Sequence, residues 1–162
     1  MTKVQIKPTK IRDMDELIAT MRQEDVDEVQ TMARMTPDQV VPLSVLVSEA
    51  SFAMRLRAGP LLCICGAAIT HSPKGTASIW ELGTTAIDRF PKHFVRNCRR
   101  AMRLVVDAIP AADTFYNFIP AGNARSRRWL ESLGARFGDP TLTPSGAAIL
   151  PFTIHRKDVP HV

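Results

Sequence analysis

The chain is predicted to be an α+β protein: a mixed, mostly antiparallel central sheet of six to seven strands with helices on both faces. Three features of its 162 residues predict this. Segments of period two and period 3.6 run in the order strand, two or three helices, three strands, long helix, strand, helix, two strands. The middle strands are separated by short turn-forming stretches, which reads as successive hairpin arms. The length suits one domain over 1–162 with a single core, and no internal repeat, low-complexity segment or linker divides it.

Val4 and Ile6 alternate with polar neighbours up to Pro8 and predict the first strand. Asp13 is expected to cap a helix carrying Met14, Leu17, Ile18 and Met21 on one face. A second helix is expected over residues 24–32, with Val26, Val29 and Met32 inward. Thr36-Pro37-Asp38 opens a third, which holds Val40, Leu43, Leu46 and Val47 despite Pro42. Residues 52–56, the turn Arg57-Ala58-Gly59 and the apolar run 61–69 form a hairpin whose second arm is buried on both faces, with a bulge expected at Gly66. A loop at residues 71–75 leads to the strand 77–82, which contains Trp80.

Residues 91–109 turn helical. Phe94, Val95, Cys98, Ala101, Met102, Val105 and Ile109 make an apolar stripe, Arg96, Arg99, Arg100 and Arg103 make a basic one, and Pro110 ends the helix. Residues 114–120 are a strand, Asn123 caps the next helix, and Gly134 stops it. Residues 135–137 and 147–155 supply the last strands, joined by a loop over 138–146.

Composition bounds the function. With 45% hydrophobic and 23% charged residues and no apolar stretch near the ~20 residues of a membrane helix, nothing is expected to span a bilayer. The N-terminus enters the first strand without the apolar block of a secretory signal, so a bacterial cytoplasmic location or the interior of a virion is expected. Cys63, Cys65 and Cys98 lie in apolar patterns and are expected to be buried free thiols, with no metal site. The net charge of +5 is unevenly spread: residues 12–28 are rich in Asp and Glu, and residues 89–136 in Arg. Such a division suits an anionic ligand, nucleic acid or head-to-tail self-contact, and equally a solvated basic helix surface. Few aromatics interleave with the arginines, which argues against stacking on single-stranded nucleic acid.

The segment Asn123-Ala124-Arg125-Ser126-Arg127-Arg128-Trp129-Leu130-Glu131-Ser132-Leu133-Gly134-Ala135 resembles the pattern N-x-x-S-x-x-L-Y-x-x-x-G-F that follows the fifth strand of the GNAT N-acetyltransferase superfamily. The order of elements is similar along nearly the whole chain. Three segments most resemble the small acetyltransferase-like proteins of short-tailed phages, one branch of which is an internal virion protein. They are Val4-Gln5-Ile6-Lys7-Pro8-Thr9, Ile79-Trp80-Glu81-Leu82-Gly83-Thr84 and Tyr116-Asn117-Phe118. The resemblance implies a GNAT-like sheet and an acetyl-CoA site.

In the family, the pyrophosphate is held by the pattern Q/R-x-x-G-x-G/A at the start of the long helix, where glycines let phosphates approach the backbone. The matching stretch here is Arg89-Phe90-Pro91-Lys92-His93-Phe94. Arg89 fits, Lys92 and Phe94 replace the glycines, and Pro91 removes an N–H. By the same resemblance Arg89, Lys92, His93, Phe94, Asn123 and Ser126 are the candidate cofactor-binding residues. Glu81 stands where several members keep a general base, and Leu130 where many have the Tyr that protonates sulfur. Tyr116, the only tyrosine, is the remaining candidate acid. Read from the residues alone, Glu81 is equally a strand residue facing solvent or an Arg, Tyr116 a cross-strand aromatic, and Asn123 a helix cap.

Two readings follow. In one, a phage-encoded protein keeps the fold with a degenerate acetyl-CoA site and serves as a virion-associated structural module, with virion or portal proteins or its own copies as partners. In the other, it is an acetyl-CoA-dependent N-acyltransferase acting on a host protein or small amine. The first predicts that the gap between strands 77–82 and 115–119 is plugged by Phe90, Phe94 or Trp129; the second predicts that it is splayed open.

Overall fold

A computed structural model describes residues 3–162; Met1 and Thr2, part of the N-terminal reading above, lie outside the described residues. The chain forms β1 (Val4–Pro8), α1 (Ile11–Thr20), α2 (Gln23–Ala33), α3 (Pro37–Val47), β2 (Ala50–Leu56), β3 (Leu61–Ile69), β4 (Thr76–Gly83), α4 (Ala86–Arg89) and α5 (Pro91–Asp107). It continues through β5 (Thr114–Pro120), α6 (Ala124–Glu131), β6 (Arg136–Phe137), β7 (Thr141–Leu142) and β8 (Ala148–His155). The strands make one sheet of eight in the order β1-β2-β3-β4-β5-β8-β6, with β7 also on β8. Every pairing is antiparallel except β4 with β5. The α+β class and the mixed, mostly antiparallel sheet are as expected. The extra strand is β7, two residues inside the expected 138–146 loop, where Thr141 and Leu142 pair with Ile149 and Ala148.

Each face of the sheet has its own core. Met54, Cys63, Cys65, Phe115, Phe152 and Ile154 pack against the apolar stripe of α5. Ala53, Leu61, Ile64 and Leu82 pack on the other face with Leu17 and Met21 of α1, Val29 of α2 and Val41 of α3. The three cysteines are buried and free, as expected. Among the described residues no helix is long and apolar enough to cross a membrane.

Four local expectations are corrected. Asp13 does not cap α1. The helix begins two residues earlier and Asp13 sits inside its first turn, where its carboxylate accepts the Lys10 N–H at 2.9 Å and pairs with Arg55. Gly66 is not a bulge. The β2–β3 irregularity falls at Met54/Arg55, and Gly66 pairs regularly with Ser51 and Trp80. Its missing side chain is needed because a Cβ would stand 2.7 Å from the Ala50 carbonyl and 2.9 Å from the Trp80 ring. The long helix ends at Asp107 rather than Ile109, and it is preceded by the one-turn α4, too short to show a period. Val95, placed on the inward stripe by its spacing, is 55% exposed at the stripe's edge.

Candidate active site

The site follows from the one parallel junction in the sheet. β4 and β5 pair over three residues only, Thr76↔Thr114, Ala77↔Phe115 and Ser78↔Tyr116, and then diverge. β5 keeps its partner β8 through Pro120↔Ile149, and β4 keeps β3 through Gly83↔Cys63. The divergence is therefore a wedge between two intact half-sheets, in which one edge of each strand loses its ladder.

Side chains take over part of that edge. Asn117 Nδ2 donates to the Ile79 carbonyl at 2.6 Å, and Asn117 Oδ1 accepts the Phe118 N–H at 2.8 Å, which pins the apex of the wedge. At the far end the start of α2 caps β4: the Gly83 N–H donates to Asp25 Oδ2 at 2.6 Å and the Arg22 N–H donates to the Gly83 carbonyl at 3.0 Å. Ile79 and Gly83 thus both turn their backbone groups away from β3. By the two-residue alternation of a strand, so does Glu81, midway between them, whose N–H and C=O face the wedge.

A cavity of about 720 Å³ opens from this wedge, within the roughly 300–1,000 Å³ usual for small-molecule sites. Its walls are largely apolar: Val95, Cys98, Met102 and Val105 of α5, Trp129 and Leu130 of α6, and Cys63, Cys65 and Ile154 from the sheet. Across the floor between the two helices Phe94 and Trp129 lie side by side, ring centroids 5.5 Å apart and 32° tilted. They narrow the space between α5 and α6 and leave the cavity open.

One end of the cavity is acidic. Glu81, Asp25, Glu28 and Glu24 line it beside the single cation Arg22. Arg22 and Asp25 form an ion pair at 3.0 Å. Glu81 Oε1 is sealed from solvent and has no hydrogen-bond partner. Burial raises the Glu81 carboxyl to about 8, helped by the charge of Asp25 and opposed by Arg22. Glu28 is likewise pushed up to about 7, mainly by burial. Burial also lifts the Cys65 thiol to about 12, so it is neither a thiolate nor a useful proton donor at neutral pH.

Of the expected site residues, the structure gathers Glu81, Phe94 and Ser126 around the cavity. Asn123 stands at its rim as the cap of α6, its Oδ1 accepting the Ser126 N–H at 3.0 Å. Arg89, Lys92 and His93 lie at the start of α5, outside the cavity lining. The Arg89 guanidinium lies over the Phe90 ring at 5.4 Å, and His93 meets the same ring edge-on at 6.1 Å. Backbone donors are scarce there: Pro91 has none, and the His93 and Phe94 N–H groups both donate to the Phe90 carbonyl, at 3.1 and 3.2 Å. That leaves Lys92 alone with a free N–H in the first turn, so the backbone cradle of the glycine pattern is not reproduced. Tyr116 pairs with Ser78 and Thr153 on β5 and does not line the cavity.

Asp25, Glu28, Arg22 and Asn117 were not among the expected site residues. A signal for two of them was present: Asp25 and Glu28 recur with Val29 and Met32 at helical spacing, which puts acids on the inward face of α2.

No protein-family profile matches the chain, and no curated protein matches it in sequence. Solved structures match it closely in shape. The aminoglycoside acetyltransferase AAC(6')-Ib in complex with ribostamycin and coenzyme A superposes with a TM-score of 0.70 at 19% identity, covering 96% of this chain and 95% of that one. Spermidine N-acetyltransferase from Vibrio cholerae, in complex with CoA and spermine, gives 0.70 at 10% identity and 96% of both chains. A phosphinothricin N-acetyltransferase-like structure gives 0.68 at 13% identity, covering 94% and 98%. The chain has the GNAT fold.

Proposed function

We propose that the chain is an acyltransferase moving an acyl group from a coenzyme A thioester to an amine. The splayed β4–β5 wedge carries this reading: it opens into a largely apolar cavity lined at one end by Glu81, whose Oε1 is buried without a partner. The residues present suit the arm of such a donor. The space between α5 and α6 is apolar and runs up to the wedge, and the Glu81 N–H and C=O are placed to meet amide-like groups lying along β4. Arg89 and Lys92 would meet the phosphates by side-chain charge in place of a backbone cradle. When bound, the donor supplies an activated carbonyl and a thiolate leaving group.

Glu81 is the base. It accepts the proton from the incoming ammonium, freeing the lone pair that forms the C–N bond as the C–S bond breaks. Its raised affinity for protons suits this task, because a base near 8 competes better for an ammonium proton than an ordinary carboxylate. The apolar walls keep water from the thioester, and the fixed backbone of β4 holds the carbonyl in register. Leu130 has no proton to give, so the sulfur would leave as a thiolate, which can take up the second proton that the nitrogen sheds as the amide forms.

The missing phosphate cradle at the start of α5 is the observation that weighs against donor binding, and so leaves room for a non-catalytic structural module. Calorimetric titration with acetyl-CoA and CoA separates the two. Micromolar binding together with amine-dependent thiol release is the expected result; absence of heat up to millimolar ligand overturns the acyltransferase reading.

A further inference from the structure

The acidic end of the cavity has four carboxyl side chains and one cation. Arg22 pairs through Nη2 with Asp25 and leaves its buried Nε without a partner, and Glu24, Glu28 and Glu81 have no ion-pair partner among the described residues. Asp25 is also tied to the Gly83 N–H, so it is part of the scaffold. Glu81 differs from a surface acid: its side chain lines the cavity with the Cys63 thiol beside its carboxyl, and its Oε1 is shut off from solvent with no partner. A buried polar atom left without a partner is costly, and a protein keeps one where a ligand completes it.

The arrangement selects among cations. Among the described residues no group of three His, Cys, Asp or Glu is placed to hold a metal ion, so these carboxyls do not form a metal cage. Glu24 and Glu28 are one helical step apart on α2, and Glu81 lies across from them on β4. The walls beside them are apolar, with Val29 and Met32 from α2 and Val40 and Val47 from α3. A ligand matching this pattern has two separated positive nitrogens joined by hydrocarbon. We infer that the acceptor is an aliphatic diamine, its reacting nitrogen at Glu81 and its second ammonium at Glu28 and Glu24. The word acceptor rests on the acyl-transfer reading; the two-cation site does not.

Proton traffic gives the inference its own signature. Glu81 is faced by Arg22, Asp25 and Glu28 from α2, Cys63 and Cys65 from β3 and Cys98 from α5; Glu28 is faced by Arg22, Glu24 and Asp25. Only Arg22 is cationic in this set. A bound ammonium therefore drives both raised carboxyls towards their charged forms and releases protons near neutral pH.

The test is calorimetry with putrescine and butylamine, at neutral pH in two buffers of different ionisation enthalpy, on the whole protein and on Glu28→Gln. Glutamine keeps the shape of Glu28 and needs no counter-charge, and circular dichroism checks that the variant folds. Putrescine is expected to bind at least about tenfold tighter than butylamine, with proton release, and Glu28→Gln is expected to erase that ratio. Equal binding of the two amines, or no binding of either up to millimolar concentration, overturns the inference. So does a ratio that survives in Glu28→Gln. Acetyl-CoA is titrated separately: diamine binding without acetyl-CoA binding keeps the two-cation site and removes the transfer reading, and the reverse result removes the diamine alone.

Discussion

The acidic end of the cavity and the start of α5, outside its lining, carry opposite charge, and they hold it in opposite ways. At the β4–α2 end Asp25 is buried and Glu28 and Glu81 half-buried between strand and helix, in a frame fixed by Asp25 on Gly83 and Arg22 on Asp25. At the α5 end Arg89 and Lys92 stand in solvent, and the buried position belongs to an aromatic pair, Phe94 on Trp129. Burial changes what a charge can do. A carboxyl drawn out of water becomes a stronger base and a reactive group, whereas an arginine left in water remains a weak, salt-screened attractor. On the acyl-transfer reading, chemistry would be concentrated at one end and affinity for the donor spread thinly at the other.

The largest break in this contrast is Glu81→Gln. If the buried carboxyl is the base, kcat/KM falls by about 10²–10⁴-fold, the usual scale for a general base. Activity of the parent protein rises with pH through about 8, as Glu81 loses its proton, and the variant loses that rise. A pH-rate profile of each, with acetyl-CoA and an amine, checks both. An unchanged profile would move the base elsewhere.

Next comes Phe94→Ala at the opposite end. Phe94 is 8% exposed and stacked on Trp129, so its removal is expected to destabilise the fold by about 3 kcal/mol or more, read by denaturant unfolding. The same change widens the passage between α5 and α6, and the dissociation constant for acetyl-CoA is expected to fall. Weaker donor binding in a folded variant would show that the ring is a contact and not an obstruction.

Stability against pH gives a smaller effect at the acidic end. Glu81 and Glu28 bind protons more tightly in the folded chain than at their ordinary 4.5, rising to about 8 and 7. Their contribution is therefore fully present below about pH 4.5 and is lost as pH climbs through 7 and 8. Neither Glu81→Gln nor Glu28→Gln can ionise, so each variant is expected to gain in Tm over the parent as pH is raised from 5 to 9, Glu81→Gln by more. Thermal melts across that range decide it; parallel curves would mean that the carboxyls are already neutralised by a cation.

The fold was legible because its signals are local. The α5 stripe, the apolar β3 run and the Asn123 cap each depend on neighbours within a few residues, and each is found where its pattern placed it. The two-residue β7 and the four-residue α4 are shorter than any period, and only their sheet partner or the adjoining long helix holds them. The lining of the cavity was legible in part. Glu81 and Ser126 were reached through resemblance to a motif, whereas Asn117 acts through Ile79, 38 residues away, and Asp25 through Gly83, 58 residues away. Pairings at that separation have no signature in one sequence. The raised proton affinity of Glu28 comes mainly from burial, with Asp25 and Glu24 of α2 adding to it and Arg22 opposing it.

The smallest expected effects belong to Arg89→Ala and Lys92→Ala, and they are the sharpest check on the contrast. Both side chains are exposed, neither has an ion-pair partner among the described residues, and the Arg89 guanidinium lies over the Phe90 ring. With the His93 and Phe94 N–H groups committed to Phe90, donor phosphates would meet one free backbone N–H and two mobile cations. Each substitution is therefore expected to weaken acetyl-CoA by only about 0.3–1 kcal/mol at low salt, fading as ionic strength rises, with no change in unfolding. Calorimetric titration at two salt concentrations measures this. If Arg89→Ala abolished binding at both, the α5 end would hold its charge as firmly as the β4–α2 end does, through an arginine that closes onto the phosphates when the donor binds.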